Sequence, residues 1–152
     1  MKIKRGPVVF NNVISAKART DMNEWFHAAR EFRNAIIKNG LYSTGPIIYQ
    51  VANIDEAANE ADYIFYVPVN RPVEMKDSGQ FSFIELFEFP DVLIVRHADL
   101  EEDIEETYDI LRECADAYTV KISEPFYNIY LDVYGDGMID VFAPIVEEGS
   151  ND

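Results

Sequence analysis

The chain has one cysteine in 152 residues, so no internal disulfide can staple it, and Cys114 lacks the neighbouring cysteine that a zinc knuckle needs. Cys114 falls on the apolar stripe of a predicted helix and reads as a buried structural thiol. No stretch of roughly 18 apolar residues occurs, and no apolar run follows the basic start Met1-Lys2-Ile3-Lys4-Arg5, which argues against a membrane span or a signal peptide and for a cytoplasmic protein. Positive charge is scarce. Thirteen Lys and Arg stand against 28 Asp and Glu, giving a formal net charge of -15. Such a surface repels a phosphate backbone or an anionic membrane, so direct nucleic-acid binding is disfavoured, while a basic protein would be drawn in.

Only two histidines are present, and neither His27 nor His97 has a positioned partner in the pattern for acid-base work. The sequence contains no phosphate-cradling glycine loop, no nucleophile elbow and no metal-ligand pair at helical or turn spacing. Asp132, Asp136 and Asp140 lack the spacing and the terminal bidentate Glu of a calcium loop. The expectation is a protein that is not an enzyme and holds no metal and no cofactor.

What is present is core material: 48% hydrophobic and 13% aromatic residues, ample for one domain. Two β-rich runs flank Gly135-Asp136-Gly137, whose glycines can take the φ > 0 values of a tight hairpin. A weaker copy lies upstream, where Gly45-Pro46-Ile47-Ile48-Tyr49-Gln50-Val51 lines up with Glu124-Pro125-Phe126-Tyr127-Asn128-Ile129-Tyr130. Likewise Phe65-Tyr66-Val67-Pro68-Val69 lines up with Val141-Phe142-Ala143-Pro144-Ile145. The chain reads as a single domain, 1–152, with an internal duplication: repeat one at about 7–70, a linker and extra strand at about 71–90, and repeat two at about 91–146.

In order, residues 7–17 read as a strand. Thr20 or Asp21 can cap the helix that follows, with Glu24 in the capping-box position and Met22, Trp25, Ala29, Phe32 and Ile36 at helical spacing up to Asn39-Gly40. Residues 47–52 and 63–69 read as strands, and 71–80 as the most loop-like segment. In residues 81–89 alternation places Phe81, Phe83, Glu85, Phe87 and Phe89 on one face, and Pro90-Asp91 then reads as a turn into a strand at 92–96. Acids crowd the start of a second helix, whose stripe is Ile104, Tyr108, Leu111, Ala115 and Tyr118. The tail 147–152 reads as frayed. The expected fold class is α+β: two strand-helix-strand-strand units forming an antiparallel sheet, with two helices packed on one face.

Ring chemistry is the strongest functional signal. Tyr49, Tyr63, Phe65, Tyr66, the phenylalanines of 81–89, Tyr127, Tyr130, Tyr134 and Phe142 offer more ring surface than an aliphatic core needs, and a ring-lined groove between repeats would hold a hydrophobic ligand. Glu85, flanked by phenylalanines, is either solvent-facing or a pocket carboxylate that could take a cation.

These features carry a resemblance. Tyr42-Ser43-Thr44-Gly45-Pro46, Tyr66-Val67-Pro68-Val69, the helix from Asp103 to Leu111, and Asn128-Ile129-Tyr130-Leu131 followed by Phe142-Ala143-Pro144-Ile145 resemble the GyrI-like small-molecule-binding domain. That domain is also the effector-binding domain of multidrug-responsive transcription activators. The resemblance implies a pseudo-twofold cleft for hydrophobic, often cationic, compounds; ring chemistry and repeat-equivalent placement put Trp25, Tyr49, Tyr66, Glu85, Tyr108 and Tyr130 at its border, and Asn128 and Phe142 are further candidate ligand residues. Family members often carry a glutamate where this chain has Asn128, two residues before Tyr130, so neutralisation of a cation at that position is in doubt; Glu85 or Glu124 could substitute. The chain also resembles stand-alone relatives in Gram-positive bacteria, some encoded beside secreted toxins. The alternative function is therefore an acidic immunity protein that binds and blocks a basic toxin such as a nuclease, through Glu102, Glu105 and Glu106. An exposed edge strand would be compatible with a monomer or a homodimer.

Overall fold

The computed structural model describes residues 2–76, 78–133 and 136–148, except for the side chain of Val133. Gly135 of the expected hairpin turn, Tyr134, Asp77 of the loop and the tail 149–152 lie outside the described residues. The element order is β1 (Ile3–Asp21), α1 (Trp25–Lys38), β2 (Ile48–Asp55), β3 (Glu60–Pro68), β4 (Phe81–His97), α2 (Ile104–Ala117), β5 (Val120–Ile122), β6 (Tyr127–Val133) and β7 (Asp136–Glu148). The fold is α+β, with antiparallel pairing of β3 to β1 and β2, and of β7 to β4, β5 and β6.

The chain divides into two compact units, one of residues Phe10–Phe87 and one of Met1–Val9 with Glu88–Asp152. In the 10–87 unit the strand order is β4-β1-β3-β2. β1 pairs with β3 from Val13↔Pro68 to Asp21↔Glu60, and β2 pairs with β3 from Ile48↔Tyr66 to Asp55↔Glu60. The register slips between Ala52 and Asp55, where Asn53 takes a φ of 51°, a left-handed conformation that Asn tolerates better than most residues. The start of β4 joins this unit through Lys17 N–H donating to the Gln80 carbonyl at 2.9 Å and the Ser15–Ser82 hydroxyl pair at 2.6 Å.

Directly opposed residues share a face of a sheet, which sorts this unit into two sides. Tyr49 opposes Phe65, and Ile14 opposes Val67 on that same side, against which α1 lays Ala29, Phe32 and Ile36, all buried. Ser15 and Tyr66 oppose one another on the other side. At the end of α1, Gly40 takes φ 81°, which suits glycine, and the Asn39, Gly40 and Leu41 N–H groups close the last carbonyls at 3.1–3.2 Å.

In the other unit β7 pairs with β4 from Val92↔Pro144 to His97↔Ile139, with β6 from Tyr127↔Phe142 to Val133↔Asp136, and with the short β5 over its last residues. The buried cluster Leu93, Val95, Leu111, Ala115, Val141 and Ala143 joins α2 to one side of these strands. Asp103 caps α2, its carboxylate accepting the Glu105 N–H at 3.0 Å, and Glu105 and Glu106 occupy the first turn, where acids meet the positive end of the helix dipole. His97 is 3% exposed and ties the end of β4 to this helix start. Its Nε2 donates to the Glu102 carbonyl, which can only accept, at 3.1 Å, and its Nδ1 lies 2.7 Å from the Thr107 hydroxyl.

Several expectations are corrected. β1 runs on to Asp21, so Thr20 and Asp21 do not cap α1; the Asp21 carboxylate instead accepts the Asn23 N–H at 2.7 Å in the turn, and Glu24 takes the cap position without a side-chain bond. Met22 therefore precedes the helix, and Tyr118, at the C-cap of α2, is 67% exposed rather than on the buried stripe. Pro90-Asp91 is not a turn, because β4 continues through it. Proline's locked φ lies within the extended region, so it costs one ladder donor without ending the strand, and the adjacent Asp91 is held by Arg5 at 2.6–3.1 Å. Glu147 and Glu148, expected in the frayed tail, belong to β7 and oppose Lys121 and Val120. Gly137 is not among the residues with positive φ; a Cβ there would lie 2.6 Å from the Tyr130 hydroxyl and 2.5 Å from Leu100 Cδ1, so close approach explains the glycine.

Candidate functional site

Trp25, the first residue of α1, is half-buried, with its ring 4.4 Å from Tyr49 and stacked at 14° on Tyr63 at 6.2 Å. Tyr63 in turn stacks on Phe65 at 5.8 Å, and Tyr49, Tyr63 and Phe65 are all buried. The result is a continuous stack of rings under the start of the helix, with Trp25 its partly exposed member. Tyr63 was not singled out as a site residue, although the period-2 pattern of β3 places it beside Phe65.

Burial first, and then the charge of Asp21, push the Tyr63 phenol up to about 12 from 10.0. Between about pH 10 and pH 12 the native chain holds this proton while the unfolded chain releases it, so stability present below pH 10 falls by roughly 2–3 kcal/mol across that window. Chemical denaturation of Tyr63→Phe across the same range is expected to show a shallower alkaline loss than the parent. Identical alkaline limbs would refute the assignment.

Tyr66 occupies the side of the sheet turned away from α1. Its phenol donates to Gln50 Oε1 at 2.6 Å and its ring lies 4.7 Å from Phe87. Phe81, by contrast, packs at 6.2 Å on Phe32 of α1. Phe81 and Phe87 therefore meet partners on opposite sides, and the single-face reading of 81–89 does not hold. Glu85 and its neighbour Leu86 are exposed.

In the 88–152 unit, the phenol of half-buried Tyr108 on α2 donates to Asn128 Oδ1 at 2.6 Å, and Asn128 is 0% exposed. Phe126 meets Tyr108 edge-on at 5.3 Å and lies under the Arg112 guanidinium at 5.2 Å. Arg112 also holds Glu124 at 2.7 Å and Asp109 at 2.8 Å, so Glu124 is already neutralised. Tyr130 is half-buried and packs against the same core. Phe142 is 0% exposed and belongs to the other side of these strands, stacked at 7° on Tyr127 at 4.9 Å and 5.5 Å from Phe89.

The expected site residues thus sort by face. Trp25 meets Tyr49, and Tyr108 meets Asn128, each on the helix-covered side of its own unit. Tyr66 and Phe142 lie on the sides turned away from the helices. Gln50, which orients Tyr66, and Phe126 were missed; a Gln within the apolar run of β2 was the available signal for the first. Glu102, Glu105 and Glu106 are exposed around the start of α2. His27 is exposed with its ring 4.3 Å from Phe26, and burial pushes the half-buried Cys114 thiol up. Among the described residues no group of three or more His, Cys, Asp or Glu could hold a metal ion, and no helix is long and apolar enough to cross a membrane.

A cavity of about 550 Å³ opens elsewhere in the 10–87 unit. The C-terminal half of α1 contributes Phe32, Ala35, Ile36 and Asn39, β1 contributes Ile14, and β4 contributes Phe81. Leu41 and the irregular segment Arg71-Pro72-Val73-Glu74-Met75 complete its wall.

Comparison with known proteins gives one family and a set of structures that share the fold. The profile of a family described as a domain of unknown function, DUF5085, matches residues 9–146. No curated protein matches the sequence. Among solved structures, the C-terminal domain of EcmrR aligns with a TM-score of 0.70 at 15% identity, covering 97% of this chain and 99% of that one. In the EcmrR–DNA complex the chain spans 58% of the EcmrR chain. A hydrolase from Listeria innocua aligns with a TM-score of 0.63 at 10% identity, covering 95% and 91%. SAV2435 bound to tetraphenylphosphonium aligns with a TM-score of 0.54 at 8% identity, covering 95% and 94%. At these identities the likeness is one of fold.

Proposed function

We propose, from the premise that the chain belongs to the DUF5085 family, that it is a non-enzymatic small-molecule-binding protein for a hydrophobic, ring-bearing ligand, cations included. The observation that carries this reading is the ring surface of Trp25, Tyr49 and Tyr63 at the start of α1. Flat rings gain from offset stacking and attract a cation over their faces, while the charge of -15 raises the local concentration of cations. SAV2435, which shares the fold, is a protein that binds tetraphenylphosphonium. In the other unit, Tyr108 and Asn128 form a part-buried polar pair of their own, which the GyrI-like resemblance assigns to ligand binding. Repeats 7–70 and 91–146 are read as copies of one ancestral unit, because each contains a strand, a helix and a hairpin whose last strand pairs back on the first.

Equilibrium dialysis against tetraphenylphosphonium tests the reading. The parent chain is expected to bind it, and Tyr49→Ala to weaken binding about tenfold through loss of the ring beneath Trp25. Equal binding by the two proteins, or none by the parent, would count against it.

A second reading rests on the exposed Glu102, Glu105 and Glu106, which could meet a basic protein partner such as a toxin. Capping and the helix dipole already account for acids at this helix start. The second reading is favoured only if reversing the three charges slows association with such a partner, most at low salt.

A further inference from the structure

A cleft of about 550 Å³ opens onto core residues of the 10–87 unit. That volume falls within the range of small-molecule pockets, roughly 300–1,000 Å³. Its floor is apolar and firmly placed, since Ile14, Phe32 and Ile36 are 4%, 7% and 4% exposed. Phe81 and Met75 in its wall are each 38% exposed, and an apolar occupant would cover them.

The polar groups gather where α1 ends. Arg71 reaches over Gly40, its Nη2 lying 3.8 Å from where a Cβ on that glycine would stand. Asn39 uses its side-chain amide to donate to the Ala35 carbonyl at 2.7 Å, and that amide carries a second N–H. Arg5, Arg19, Arg96 and Arg112 each pair with carboxylates in this acid-rich chain, whereas Arg71 enters no ion pair among the described residues. Glu74 lines the same wall and is not paired with it.

An exposed guanidinium fork at one end of a cleft with an apolar floor matches a carboxylate in both geometry and charge. We propose that this cavity is a second ligand site that takes an amphipathic monocarboxylate, its apolar chain lying along Phe32, Ile36 and Phe81 and its carboxylate on Arg71. The site is separate from the aromatic one: Trp25 and Ile36 are about 16 Å apart along the helix axis at 1.5 Å per residue.

Calorimetric titration of the full chain with dodecanoate, dodecanol and dodecyltrimethylammonium tests this. Dodecanoate is expected to bind about tenfold more tightly than dodecanol, and Arg71→Gln to remove that difference while dodecanol affinity stays the same. Ala35→Phe, at an exposed helix position on the cavity wall, is expected to abolish binding of both. Saturating tetraphenylphosphonium should leave dodecanoate affinity unchanged, so failure of the aromatic site would not touch this result. Absence of dodecanoate binding, a preference for the ammonium, a preference for dodecanoate that survives Arg71→Gln, parent-like binding by Ala35→Phe, or competition between dodecanoate and tetraphenylphosphonium would each overturn the proposal.

Discussion

Asn128→Asp is expected to destabilise the protein by several kcal/mol near neutral pH. Asn128 is 0% exposed, accepts the Tyr108 phenol at 2.6 Å, and turns its amide nitrogen toward the Phe126 carbonyl at 3.5 Å. Aspartate keeps the first interaction, replaces the amide with an oxygen facing an oxygen, and puts a charge where water does not reach. The effective cost of burying one ion is several kcal/mol. Desolvation raises the native pKa of such a carboxyl above its unfolded value. The stability is therefore intact below the unfolded pKa, near 4, and is lost as pH rises through the raised native value. Denaturant melts at pH 4 and pH 7 check this. A variant with parent-like stability at both pH values would show that position 128 is not dry.

Phe142→Ala is expected to cost about 3–5 kcal/mol of stability, the usual range for emptying a buried phenylalanine site. The ring is 0% exposed and packs between Tyr127 at 4.9 Å and Phe89 at 5.5 Å, so its removal leaves a cavity with two rigid neighbours that collapse poorly. Phe142 is a candidate ligand residue in the sequence, and in the structure it is fully buried among rings. Urea unfolding separates these roles. A loss below about 1 kcal/mol accompanied by a large loss of ligand affinity would return Phe142 to the ligand.

Some of this molecule is legible in local pattern. Ala29, Phe32 and Ile36, and then Leu111 and Ala115, recur at the helical period because a helix must hide one stripe. The flanks of the last hairpin are equally plain. Other features depend on partners distant in sequence. Asn128 looks like a polar interruption until Tyr108, twenty residues earlier, is placed against it. Gly137 reads as a flexible turn residue, yet its reason is the Tyr130 hydroxyl across the hairpin. Pro90 reads as punctuation, but a fixed φ in the extended region lets β4 pass through it. The assumed strict alternation in 81–89 concealed that Phe81 faces α1 and Phe87 faces away. The cavity wall at 71–75 has no periodicity, so no sequence pattern could announce it.

The proposed function puts the ligand on the rings at the start of α1. Trp25 is the only tryptophan, and its ring lies on Tyr49 and Tyr63. Its fluorescence therefore reports that place alone. Titration with tetraphenylphosphonium, alongside neutral triphenylphosphine oxide, should change Trp25 emission saturably, with one equivalent of the cation at the end point and a weaker response to the neutral compound. Emission that stays constant with both compounds, or changes only linearly without saturation, would contradict the account.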